Sequence, residues 1–180
     1  MRSAISASTS RAAIRRSSFC SPIRRKVLAE KALDGEIRDG RHYMTVRVYY
    51  EDTDFSGIVY HASYLRFMER GRTNYLRLLG ASQRALFQEA ANEALGFAFV
   101  VRSMNIEFLK PARMDDLLVV ITAPHEVKGA SMTLQQEVLR GDDRLAQARV
   151  RVAFVAGGRA RPIPKPLRTL MKADCADIPG

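Results

Sequence analysis

The sequence predicts an α+β fold in which one long helix lies against one curved antiparallel sheet, and three observations carry that expectation. Apolar residues recur at spacings of three and four from His61 to Leu79; stretches of alternating apolar and polar residues dominate after Gly96; and 180 residues suit one ordinary domain. With 47% apolar and 27% charged residues the composition is that of a globular chain, which argues against a fully disordered or fibrous one. No stretch reaches the roughly 18 consecutive apolar residues of a membrane-spanning helix. The two cysteines, Cys20 and Cys175, form no Cys-x-x-Cys or Cys/His cluster. Neither a disulfide framework nor a metal site is expected, and a reducing cytoplasm is the default setting.

A net charge of +10 raises the question of a nucleic-acid partner. Seven of the basic residues fall among residues 1–29, which hold no acid, and removing them leaves 22 basic against 19 acidic residues. The excess therefore belongs to a Ser/Ala/Arg-rich leader that cannot bury enough apolar surface to fold. A nucleic-acid-binding domain is disfavoured. The leader reads as a disordered basic tail or an upstream start codon, with a transit peptide as the alternative, and lacks the apolar run of a secretory signal.

Residues 1–42 are accordingly expected to be a disordered extension and linker, with Gly35 and Gly40 in its last part. Met44 to Tyr50 reads as a strand, and the polar stretch Glu51-Asp52-Thr53-Asp54-Phe55-Ser56-Gly57 as a loop closed by glycine. In the helix that follows, Tyr64, Met68, Gly71, Tyr75 and Leu78 share one face while Arg66, Arg70, Thr73 and Arg77 take the other. A glycine on the apolar face, where it costs up to about 1 kcal/mol relative to alanine, predicts close approach to a sheet. A weaker helix is expected over residues 82–95. Strands then follow around Met104–Phe108, Leu117–Ala123, Met132–Val138 and Ala146–Phe154, the second of them apolar enough for burial on both faces. Residues 43–161 make the domain, and 162–180, opening on Arg161-Pro162-Ile163-Pro164-Lys165-Pro166, read as an extended tail. A run of consecutive strands implies hairpin connections, and an open sheet leaves edges that predict pairing between subunits.

Chemistry concentrates before the long helix, where Asp52, Asp54 and His61 fall within ten positions. A helix N-terminus offers unpaired N–H groups to a developing oxyanion, and a carboxylate beside it serves as general base or nucleophile. The same Asp-x-Asp pattern also suits capping and turn chemistry.

This segment resembles the signature of the 4-hydroxybenzoyl-CoA thioesterase family of the hotdog-fold superfamily. Arg47, Val48, Thr53, Asp54, Gly57, Ile58, Val59, His61 and Tyr64 meet its defined positions. The longer stretch, with Glu69-Arg70, Arg72-Thr73 and Phe108-Leu109-Lys110-Pro111-Ala112-Arg113, is similar to the acyl-CoA thioesterases associated with the Tol-Pal system. The resemblance implies an acyl-CoA thioesterase without cofactor or metal, acting on coenzyme A or acyl carrier protein thioesters, and the alternative is a non-catalytic hotdog module that binds them. It further implies Asp54 as the catalytic carboxylate, His61 beside it, and Gly57, Val59, Tyr60 and Tyr64 as oxyanion or substrate contacts. Asp52 is assigned to the loop's hydrogen bonding, and Glu69 to pairing with Arg66 or Arg72. Lys110 and Arg113 are candidates for the coenzyme A phosphates, whereas Arg149 and Arg151 read as surface residues. A homodimer or homotetramer is expected, with the site at a subunit interface.

Overall fold

The structure, a computed structural model, describes residues 33–80 and 97–176. The leader and the helix expected over 82–95 lie outside the described residues. Strand β1 (Glu36–Arg38) leads through a turn into β2 (Arg41–Arg47), a single 3-10 turn spans Tyr50–Asp52, and helix α1 runs from His61 to Leu78. Then come β3 (Phe97–Phe108), β4 (Leu117–Val127), β5 (Ser131–Arg140), β6 (Asp143–Ala156), the short β7 (Arg159–Ala160) and helix α2 (Lys165–Ala176). All pairings are antiparallel, in the order β1-β2-β4-β5-β6-β3 with β7 against β6.

The expected α+β architecture is present, and its cause is visible in the register. Met44, Val120, Val138 and Ala146 follow one another across four strands and point to the same face, because side chains alternate along each strand. That face receives Tyr64, Phe67, Met68, Tyr75 and Leu76 of α1. Gly71 is where helix and sheet come closest: a Cβ there would sit 2.8 Å from Thr122 Oγ1 and 3.1 Å from Val120 Cγ1. The buried polar residues between them are mutually satisfied. Gln136 donates to the Met68 carbonyl and to Thr122 Oγ1, each at 2.8 Å, and accepts from Arg72 at 2.8 Å.

Two expectations are corrected. Gly35 and Gly40 do not lie in a linker, since Asp39 and Gly40, both with positive φ, turn β1 back onto β2 as a hairpin. Nor is the segment after Pro164 an extended tail. It forms α2, whose Leu167 and Met171 join the core while Tyr75 of α1 donates its hydroxyl proton to Asp174 at 2.6 Å. The prolines that bar this segment from a sheet interior are well suited to a first helical turn, where the missing N–H costs nothing.

Candidate active site

Asp52 and Asp54, one residue apart, are placed in opposite environments. Asp52 is 4% exposed; its carboxylate accepts from the Tyr49 amide at 3.0 Å and faces the Arg66 guanidinium at 3.5 Å. Its carbonyl accepts from the Tyr60 amide and from Ser63 Oγ. These bonds tie the loop to the first turn of α1. Asp54 is exposed at the head of a tight turn: its amide donates to the Ile58 carbonyl, its carbonyl accepts from Gly57, and Oδ1 accepts from the Ser56 amide at 2.8 Å. Gly57 closes the turn at φ 72°, which favours glycine. Oδ2 has no partner among the described residues, so the turn holds Asp54 by one oxygen and presents the other.

The start of α1 is uncapped. Tyr60 occupies the N-cap position without a side-chain bond, and no described residue accepts from the His61 or Ala62 amides. The Gly57, Val59 and Tyr60 amides are by contrast engaged with Asp54, Ala112 and Asp52 at 3.0, 2.8 and 2.9 Å. Those three amides are therefore not free to meet an oxyanion, and the amides left open at the helix start are those of His61 and Ala62, with the helix dipole behind them. The Tyr64 side chain is buried and accepts from the Ala112 amide at 2.9 Å, so it anchors the loop after β3.

That loop is the second support of the site. Ile58 bridges Arg113 in antiparallel fashion, the Val59 amide reaches Ala112, and Val48 and Asp115–Asp116 exchange backbone bonds at about 3.0 Å. Asp116 locks it by accepting from the Arg113 amide at 2.9 Å and from Arg140 at 2.8 Å. Burial alone raises the Asp116 pKa, but these bonds and the Arg140 charge outweigh it and hold the carboxyl below its usual range.

Other expected residues fare differently. Lys110 is paired with Asp143, which leaves Arg113 as the cation of the expected pair that makes no salt bridge among the described residues, although its charge helps hold the Asp116 carboxyl down. Glu69 accepts from Thr73 at 2.6 Å, while Arg66 turns to Asp52 and Arg72 to Gln136. Of the aromatic residues, Phe67 is core, Tyr60 is half exposed with its ring 4.3 Å from that of His61, and the side chain of Phe97 lies outside the described residues. Phe108, the last residue of β3, is 46% exposed, its ring centroid 6.3 Å from His61 and 5.6 Å from Tyr64. Alternation alone gives a strand's last residue no cover; its value as a wall of the site becomes visible when α1 is placed beside it.

A long helix laid across a curved antiparallel sheet, with its open N-terminus beside a carboxylate turn, is the hotdog arrangement. The chain belongs to the thioesterase superfamily, whose family model matches residues 56–147. It is 46% identical over 121 residues to the acyl-CoA thioesterase YbgC of Haemophilus influenzae, covering 67% of this chain and 85% of that one. It is 43% identical over 118 residues to the acyl-CoA thioester hydrolase YbgC of Escherichia coli O6:H1, covering 65% and 84%. Among solved structures, a probable thioesterase from Bartonella henselae matches with a TM-score of 0.64 and 41% identity, over 69% of this chain and all but 1% of that one.

Proposed function

We propose that the protein hydrolyses acyl-CoA thioesters, with Asp54 as the catalytic carboxylate and the His61 and Ala62 amides as the oxyanion donors. The observation that carries this is the pairing of one open carboxylate oxygen on a rigid turn with an uncapped helix start a few residues later. In the reaction, water or Asp54 itself attacks the thioester carbonyl carbon. Negative charge collects on the carbonyl oxygen, where the two amides meet it, and collapse breaks the C–S bond and releases the coenzyme A thiolate. If Asp54 is the nucleophile, water then hydrolyses the resulting anhydride; if it is the general base, it accepts the water proton directly. His61, Tyr60 and Phe108 form an aromatic wall beside this point that suits an acyl or aryl group. Arg113 is placed to meet a phosphate of the coenzyme A handle.

The reading includes a cytoplasmic enzyme that accepts acyl carrier protein thioesters besides acyl-CoA, and a homodimer or homotetramer. For the cytoplasm speaks the free thiol of Cys175; among the described residues no helix is long and apolar enough to cross a membrane. For assembly speaks β3, which ends the sheet and exposes Val100 and Val101.

The test is turnover on a panel of aliphatic and aromatic acyl-CoA substrates for the wild type and Asp54→Asn. We expect kcat to fall by about 10²- to 10⁴-fold in the variant with its melting temperature preserved, because Asp54 is exposed. Full turnover in Asp54→Asn, or no hydrolysis of any acyl-CoA by the wild type, would sink the proposal.

A further inference from the structure

We propose that the sheet face turned away from α1 carries a second ligand site, a recess that takes the phosphates and base of a free nucleotide. Thr122 and Val120 meet Gly71 of α1, so their neighbours Ile121 and Ala123 point the other way. There they floor a recess of about 590 Å³ lined also by Pro124, His125, Arg41 and Arg149, within the size range of small-molecule sites. Ile121 and Ala123 are 7% and 6% exposed, which makes the floor apolar and firm. Glu137, the acid in the lining, is paired with Arg144 at 3.0 Å. Arg41 and Arg149 have no acidic partner among the described residues.

Three features build the recess rather than leave it to chance. A register shift in β4 between Pro124 and Glu126 puts His125 at a bulge, the kind of irregularity that re-aims a side chain. The last turn of α2 forms a wall at Cys175 and is fixed by the Tyr75–Asp174 bond. Arg149 and Gln135 also line an adjoining recess of about 330 Å³ with Asn105, Gln147 and Glu107; Gln147 is engaged with Glu107 and Arg144, so Gln135 and Asn105 are the carboxamides that continue beyond Arg149. Arg41 on β2 and Arg149 on β6, with β4 and β5 between them, put one unpaired guanidinium on each side of the recess; either suits a phosphate, the apolar floor suits a flat ring, and the Gln135 and Asn105 carboxamides suit the polar edges of a base. The catalytic turn lies beyond the start of β4, roughly 13 Å along the strand from Ile121 at 3.3 Å per residue, and on the side of α1. The same chemistry occurs in the handle of coenzyme A, and substrate KM separates the two sources.

The experiment is calorimetric titration of the full chain with adenosine diphosphate, for the wild type and for Arg41→Gln/Arg149→Gln. We expect the wild type to bind and the double variant to bind at least about tenfold more weakly, with inorganic phosphate weaker than the nucleotide on the wild type. Acyl-CoA kcat and KM should stay at wild-type values, which also shows that the variant is folded, and the mass by light scattering should not change. Failure of the wild type to bind at millimolar nucleotide, or equal binding by the variant, overturns the site. A KM that rises with the loss of nucleotide affinity assigns the recess to the substrate handle, a changed mass assigns it to a subunit contact, and phosphate as tight as nucleotide removes the base. Each of these also overturns the proposal.

Discussion

Asp52 and Asp54 show that residue type does less than residue environment. One carboxylate is consumed in holding the loop and the other is left half free, although both sit in the same seven-residue loop. The cations around the site divide in the same way. Since Lys110 is paired with Asp143, Arg113→Gln should raise KM for acyl-CoA severalfold and leave kcat unchanged, whereas Lys110→Gln should do neither. Steady-state kinetics on both variants checks this, and an effect confined to Lys110 would reverse the assignment. His42 makes a prediction of a different kind. It is fully buried, its Nε2 donates to the Asp34 carbonyl at 2.6 Å, and its Nδ1 is therefore the unprotonated nitrogen, without a partner. Burial pulls its pKa below the usual imidazole value, against smaller opposing effects of Asp34. A pKa lower in the folded than in the unfolded chain means stability that is present above about pH 6.5 and lost as pH falls toward the folded value. The urea midpoint should therefore drop more between pH 7.5 and pH 5 in the wild type than in His42→Gln.

At the scale of elements, α1 and β4 set the geometry of the molecule through a single missing side chain. Gly71→Ala would place a methyl group 2.8 Å from Thr122 Oγ1, inside contact distance, at a position where Thr122 is also held by Gln136. The helix has to lift or the Gln136 network has to open. The expected cost is about 1–3 kcal/mol, although alanine favours the helix intrinsically by about 1 kcal/mol, and denaturant unfolding reads the difference. A neutral or stabilising result would mean that α1 lies farther from the sheet than described. The same close approach anchors the far end of α1, while its first turn, tied down by Asp52, keeps its amides open.

For the whole molecule, the sheet ends on β3, a twelve-residue strand whose outer backbone groups have no pairing strand among the described residues. Val100 and Val101 are 42% and 45% exposed on it. A long, apolar, unprotected edge is a template for another chain, and a second copy of β3 is the occupant the proposed assembly requires. Val101→Arg should convert the oligomer to monomer at micromolar concentration, as read by light scattering, and lower turnover if the site needs the partner. A wild-type monomer that is fully active would remove that assembly.

What the amino-acid order determined by itself was periodic and local. The helix from His61, the long strands, the need for a glycine at position 71 and the turn that carries Asp54 all follow from spacings within a few residues, because 3.6-residue and two-residue repeats record which face is buried. The sheet order, with β3 at the edge and β4 inside, was settled by tertiary structure, since pairing partners far apart in the chain leave no local mark. So was the fate of each polar group. Nothing in the sequence near Gly57, Val59 or Tyr60 says that their amides are taken by Asp54, Ala112 and Asp52. Likewise Lys110 meets Asp143 and Tyr75 meets Asp174 across 33 and 99 positions. Hydrogen bonds and ion pairs are decided by which groups arrive within about 3 Å of each other, and that distance exists once the chain is folded.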